Sequence, residues 1–157
     1  MATLLSNPAS LVEYGRLKFV IFDAPNDDNI KLYLSELKKH RVTHVIRVCH
    51  PTYSKDVFTS QGISFSDWPF PDGSVPPEYI IQNLLELLKS NPPVIGIHCV
   101  AGLGRAPLLV AIALIEEGMD PHKVVNFIRE RRPRCINKQQ LNFITQYKSS
   151  KNGCIIC

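Results

Sequence analysis

Apolar positions along the chain fall into short β-branched runs separated by longer amphipathic stretches. Lys18–Phe22, Thr43–Cys49 and Val94–His98 read as buried strands. Ile63–Trp68 is a further strand candidate, and Leu11–Tyr14 is placed to pair with Lys18–Phe22 across Gly15. Between these runs the period changes. Asn29–His40 sets Ile30, Tyr33, Leu34 and Leu37 at helical spacing behind the polar lead-in Asp27-Asp28. Pro77–Ser90 opens on Pro and Glu, repeats apolar residues from Ile80 to Leu88, and is closed by Pro92 and Pro93. Further helices are predicted over Arg105–Glu117, Pro121–Arg131 and Asn137–Tyr147, with Gly118 as a stop after the first. Strands alternating with helices imply an α/β domain with a mainly parallel sheet and a helical C-terminal half. No internal repeat or linker divides it.

Composition narrows the class without naming a function. A length of 157 residues, 45% hydrophobic and 20% charged, suits one globular domain. The balance of 18 basic against 14 acidic residues, a formal +4, favours anionic partners mildly and is too weak to argue for nucleic acid. No run reaches the roughly 18 apolar residues of a membrane span, and Met1–Ser10 lacks the pattern of a secretory signal. The five cysteines are odd in number and lack framework spacing, which favours a reducing compartment and reactive or core thiols. No cofactor or metal is expected.

The informative segment is Ile-His-Cys-Val-Ala-Gly-Leu-Gly-Arg-Ala-Pro, residues 97–107. A buried strand runs out at His98, a glycine-bearing loop follows, and a helix begins near Arg105. Such a loop can turn successive backbone N–H groups inward as an anion nest at a helix N-terminus. Gly102 and Gly104 are expected to permit the curl. A thiol at Cys99 would sit in that positive field, which lowers a thiol pKa, and Arg105 offers a planar fork for two phosphoryl oxygens. Together these residues point to phosphoryl transfer through a phosphocysteine intermediate. A Walker loop would need Gly-Lys-Ser/Thr where Gly104-Arg105-Ala106 stands, and a dinucleotide loop a third glycine at Pro107. The remaining alternative is a buried core cysteine in a tight turn.

The Cys-five-residues-Arg pattern of residues 99–105 resembles the signature of protein tyrosine and dual-specificity phosphatases. The longer run over 98–107 resembles the type IVA subfamily, the phosphatases of regenerating liver. So do Glu36–Lys39, Val45–Cys49, Asp67–Phe70 and Ala113–Glu116. The resemblance covers nearly the whole chain. It implies the tyrosine/dual-specificity phosphatase fold, a central mixed, mostly parallel sheet flanked by helices, as one phosphatase domain over residues 1–147. It also implies Cys99 as nucleophile, Arg105 as phosphate clamp, and Val100, Ala101, Gly102, Leu103 and Gly104 as the phosphate-binding backbone.

Ester cleavage needs an acid for the leaving oxygen. The resemblance assigns it to Asp72, in the loop Trp68–Gly73, although Pro71 stands where the family usually has a second acidic residue. Asp72-Gly73 alone would also suit a plain turn, and Asp67 is a rival carboxylate at a strand end. The resemblance further implies Cys49 as redox partner of Cys99, with a buried structural thiol as the other reading, and Gln140 as a water-orienting residue; His98 reads as orienting the loop by hydrogen bonding. Cys135 reads as a core thiol. Ala106 replaces the Ser or Thr of most tyrosine phosphatases. Losing a hydrogen bond to the departing thiolate, worth ~1.5–3 kcal/mol, is expected to slow turnover. Slow turnover admits a second reading. In it the pocket is a binding site for CBS-pair domains of magnesium transporters, a partner that this subfamily implies. Phosphorylated protein or phosphoinositide is the expected substrate, and self-association into a homo-oligomer stays open.

The tail, residues 148–157, ends Cys154-Ile155-Ile156-Cys157. A cysteine fourth from the end before two aliphatics is a prenylation signal at Cys154. It predicts residence at a cytosol-facing membrane together with a cytosolic pool. Lys148 and Lys151 add little electrostatic attraction.

Overall fold

The computed structural model describes residue 5 and residues 7–150. Five strands appear: β1 Ser10–Tyr14, β2 Leu17–Phe22, β3 His44–Arg47, β4 Ser64–Asp67 and β5 Ile95–His98. The helices are α1 Ile30–Lys39, α2 Asp56–Thr59, α3 Glu78–Leu88, α4 Arg105–Glu116, α5 Pro121–Arg131 and α6 Lys138–Gln146. The strands lie side by side in the order β1-β2-β5-β3-β4, with β1 antiparallel to β2 and the other pairs parallel. The mixed, mostly parallel sheet expected from the sequence is therefore present, with its hairpin turning at Gly15 (φ 56°). Strands β3, β4 and β5 are trimmed relative to the predicted ones, with β3 stopping at Arg47, two residues short of Cys49, whereas β1 and β2 each begin one residue earlier than predicted.

Strand alternation divides the core into two layers. Phe19, Ile21, Ile46, Ile95 and Ile97 pack with α3, α4, α5 and α6, whereas Val20, Phe22 and Val45 pack with α1 and α2. Successive strand side chains point to opposite faces, so a run such as Phe19-Val20-Ile21-Phe22 serves both layers. Helix α4 is buried along its whole length, from Arg105 to Glu116, which explains why its sequence is apolar all round. Helices α3, α5 and α6 surround it.

The paired ends Phe22, His98 and Arg47 bring the carboxyl termini of β2, β5 and β3 to one edge. Ligands of open α/β sheets bind outside that edge. At the far end of α4, the buried Glu116 carboxylate accepts hydrogen bonds from Tyr147 Oη (2.8 Å), Ser149 Oγ (3.0 Å), and Ser150 N and Oγ (both 2.9 Å). Burial raises the Glu116 pKa, but these bonds outweigh it and hold the group below its usual value. The chain thus stays packed on the body through Ser150. Cys154, with Lys151 and Cys157, lies outside the described residues.

Candidate active site

Between β5 and α4 every backbone carbonyl from Cys99 to Gly104 is tied outward. Cys99 O accepts from His98 Nδ1 (2.9 Å), Val100 O from Ala24 N (2.8 Å) and Gly104 O from Leu108 N (3.0 Å). Ala101 O and Gly102 O accept from the Arg132 guanidinium (3.1 and 2.7 Å), and Leu103 O accepts from Ile136 N (2.6 Å). The N–H groups of Val100 to Gly104, by contrast, donate to no acceptor among the described residues. A loop with its acceptors fixed outward and its donors unspent is built for an anion. Gly102 sits at φ 64°, and a Cβ there would lie 2.5 Å from Arg132 Nη2 and 2.9 Å from Phe22 O, so the position requires glycine. Gly104 differs from the sequence expectation. Its φ is −133°, and its smallness matters because Gln140 lies against it, 3.4 Å from where a Cβ would be.

The loop floors a pocket of about 360 Å³ lined by Asp72, Gly73, Cys99 to Ala101, Leu103 to Arg105, Arg134, Ile136, Asn137 and Gln140. Cys99 is buried at its base. Arg105, also buried, donates from Nη1 to Phe70 O (3.0 Å). Its Nε is buried with no hydrogen bond, and stands 3.7 Å from Asp72 Oδ1. That contact is an ion pair beyond hydrogen-bond reach, and it leaves a guanidinium N–H free for an anion in the pocket. Asp72 is 86% exposed. It sits in a turn closed by Ser74 N to Pro71 O (3.2 Å), with Gly73 at φ 74°. Asp72-Gly73 thus forms a turn, and that turn lies on the pocket wall. Asp67, the rival carboxylate, is engaged by Arg47 through bonds of 2.7 and 3.1 Å.

His98 supports the loop from the core. Its Nδ1–H goes to Cys99 O, so Nε2 accepts from Tyr53 Oη at 2.5 Å. Burial lowers its pKa from 6.5 to about 4 and keeps the ring neutral. Cys49 Sγ lies 3.9 Å from His98 Nδ1. Burial raises the Cys49 thiol above its ordinary pKa. Cys49 and Cys99 belong to one core cluster, and Cys49, Cys99 and Cys135 are free thiols.

Two supports were not anticipated from the sequence. Arg132, 3% exposed, binds Asp23 (2.6 Å) and Ser10 Oγ (3.0 Å) as well as the loop carbonyls. The N-terminus of α6 reaches the acid loop: Asn137 Nδ2 donates to Gly73 O (3.2 Å) and Gln140 Nε2 to Ser74 O (3.3 Å). Gln140 also completes a capping box with Asn137. Its amide lines the pocket but is engaged on both atoms. The Asn-x-x-Gln spacing is a readable capping signal.

The family model described as protein-tyrosine phosphatase matches residues 22–149. The chain is 53% identical over 154 residues to the probable protein tyrosine phosphatase type IVA A of Dictyostelium discoideum, covering 95% of this chain and 93% of that one. It is 46% identical to the PRL-1 phosphatase of Drosophila melanogaster, covering 92% and 88%. Among solved structures, the putative protein tyrosine phosphatase of Leishmania major superposes with a TM-score of 0.81 at 39% identity, covering 89% of this chain and 98% of that one.

Proposed function

The chain belongs to the protein tyrosine phosphatase family, in its type IVA branch, and on that premise we propose that it hydrolyses phosphate monoesters through a phosphocysteine at Cys99. The phosphoryl group lies on the N–H groups of Val100 to Gly104, with Arg105 on its oxygens. Cys99 Sγ attacks phosphorus as thiolate, the reactive form of a cysteine. An S–P bond forms as the ester O–P bond breaks, and a protonated Asp72 gives its proton to the leaving oxygen. In the second step water attacks phosphorus, the Asp72 carboxylate takes its proton, and the S–P bond breaks to release inorganic phosphate. The observation that carries this reading is the loop with six carbonyls tied outward above a buried cysteine and an unspent Arg105 Nε. The test is rapid-mixing hydrolysis of an aryl phosphate with peptide mapping of the quenched enzyme. A burst and a phosphate on Cys99 are expected. Turnover retained in Cys99→Ser would sink the mechanism.

Ala106 supports a slow second step, because no hydroxyl follows Arg105 to donate to the departing sulfur. That favours a long-lived phosphoenzyme and, as a second reading, use of the same pocket to hold a protein such as a transporter CBS-pair domain. A burst followed by almost no turnover would favour it. The proximity of Cys49 to His98 and the loop base supports a reversible Cys49–Cys99 disulfide, which trapping after mild peroxide and peptide mapping would detect or exclude. Membrane residence through Cys154 rests on the sequence signal alone.

A further inference from the structure

We propose that Arg134 is a specificity-determining residue, reading a second negative charge that a phosphoprotein substrate carries on an acidic side chain next to its phosphorylated residue. The proposal rests on the phosphatase reading of the pocket. Arginines crowd the end of α5 and the segment that follows it, and most are engaged by other groups of the protein. Arg129 donates to Cys135 O (2.9 Å) and Ile136 O (2.8 Å). Arg131 lies 3.7 Å over the Phe127 ring and donates to Phe127 O (2.7 Å). Arg132 holds the phosphate loop. Arg134 alone of these is exposed on the pocket wall with no hydrogen bond or ion pair among the described residues.

Its place is fixed. Arg134 and Ile136 both take left-handed backbone, at φ 70°, a conformation an arginine adopts only at a cost. The Arg129 bonds and the Ile136 N to Leu103 O bond lock this turn onto the phosphate loop. The backbone of Arg134 is thus registered against the loop that carries Cys99 and Arg105, and its exposed side chain extends from the pocket wall. The pocket's other charges are accounted for: Arg105 and the loop N–H groups meet the phosphoryl oxygens, and Asp72 is uncharged when it acts as acid. A monoanionic neighbour on the substrate has one cation left to meet, Arg134. The family points to phosphorylated protein, so a flanking Glu or Asp is the group assigned.

An exposed pair of this kind is worth about twofold to fivefold in kcat/KM, carried mainly by KM and falling as salt rises. The test uses paired phosphotyrosine peptides with Glu or Gln at each position flanking the phosphoresidue. The wild-type Glu/Gln ratio is expected at about twofold to fivefold at low salt. Arg134→Gln should bring it to about one, and Arg134→Lys should restore part of it. Because each ratio is internal to one variant, general losses of activity cancel. A ratio unchanged in Arg134→Gln, or no preference in the wild type, overturns the proposal. Wild-type hydrolysis of a plain aryl phosphate separates the two levels: turnover there without acid preference removes only the role of Arg134, whereas no turnover there removes the phosphatase reading. A preference confined to soluble inositol bisphosphate lipids over monophosphates, lost in Arg134→Gln, would overturn the protein assignment in favour of a second phosphate.

Discussion

Replacing Arg132 by lysine should separate the charge beneath the phosphate loop from the geometry that shapes it. The guanidinium supplies Ala101 O and Gly102 O at 3.1 and 2.7 Å while pairing with Asp23 at 2.6 Å. A lysine ammonium keeps the charge but has no planar fork, so it can hold Asp23 and at most one carbonyl. Hydrogen bonds from a charged donor are worth ~1.5–3 kcal/mol, and a buried carbonyl left without a partner costs ~1–3 kcal/mol. The loss in unfolding free energy is therefore about 2–4 kcal/mol. If the tie also keeps the carbonyls outward, the freed loop must reorder each time an anion binds. Giving up ~1–2 kcal/mol to that reordering corresponds to about a fivefold to thirtyfold weaker anion. The assay pairs chemical denaturation with the competitive inhibition constant of inorganic phosphate on aryl phosphate hydrolysis. Arg132→Lys should show both losses. Lower stability with an unchanged inhibition constant would refute the claim that Arg132 sets the shape of the cradle.

Three further outcomes are expected. Asp72→Ala should depress turnover most for esters with poor leaving groups, since good ones need little protonation; a uniform loss across a leaving-group series would argue for a structural role. His98, whose pKa is lowered to about 4 by burial, binds its proton more readily in the unfolded chain. The stability it contributes is thus full above about pH 6.5 and lost as pH falls towards 4, about 3 kcal/mol in all. Denaturant titrations of wild type and His98→Asn between these limits should differ in slope, and parallel curves would count against the assignment. Cys154→Ser should move the protein wholly to the soluble fraction, and an intact mass showing a lipid-free chain ending at Cys157 would exclude prenylation.

Much of this structure was legible because its cues are local. Phe19 to Phe22 reads as a strand from its β-branched, aromatic run, and residues 105–117 as a helix built on the long apolar stretch Ala106–Ile115 and closed by Gly118. What escaped depends on contacts distant in sequence. Helix α2, Asp56–Thr59, spans four residues, too few to show a period, and is anchored by buried Phe58. Arginine 132 could not be told from its neighbours at 129, 131 and 134, since only the fold decides which guanidinium is buried under the loop. Cys99 and Arg105 were legible because the chemistry demands them a fixed number of residues apart. Asp72 came from family resemblance, because a carboxylate 27 positions from the thiol carries no spacing signal of its own.

Helix α4 has a consequence for how the molecule is oriented. Its 12 residues span about 18 Å, with the phosphate cradle at one tip and the Glu116 clasp on Tyr147, Ser149 and Ser150 at the other. The helix is a mast moored at its foot. Ser150 is therefore held at the end of α4 opposite the pocket, and a load borne at the clasp reaches the cradle only along the length of the helix.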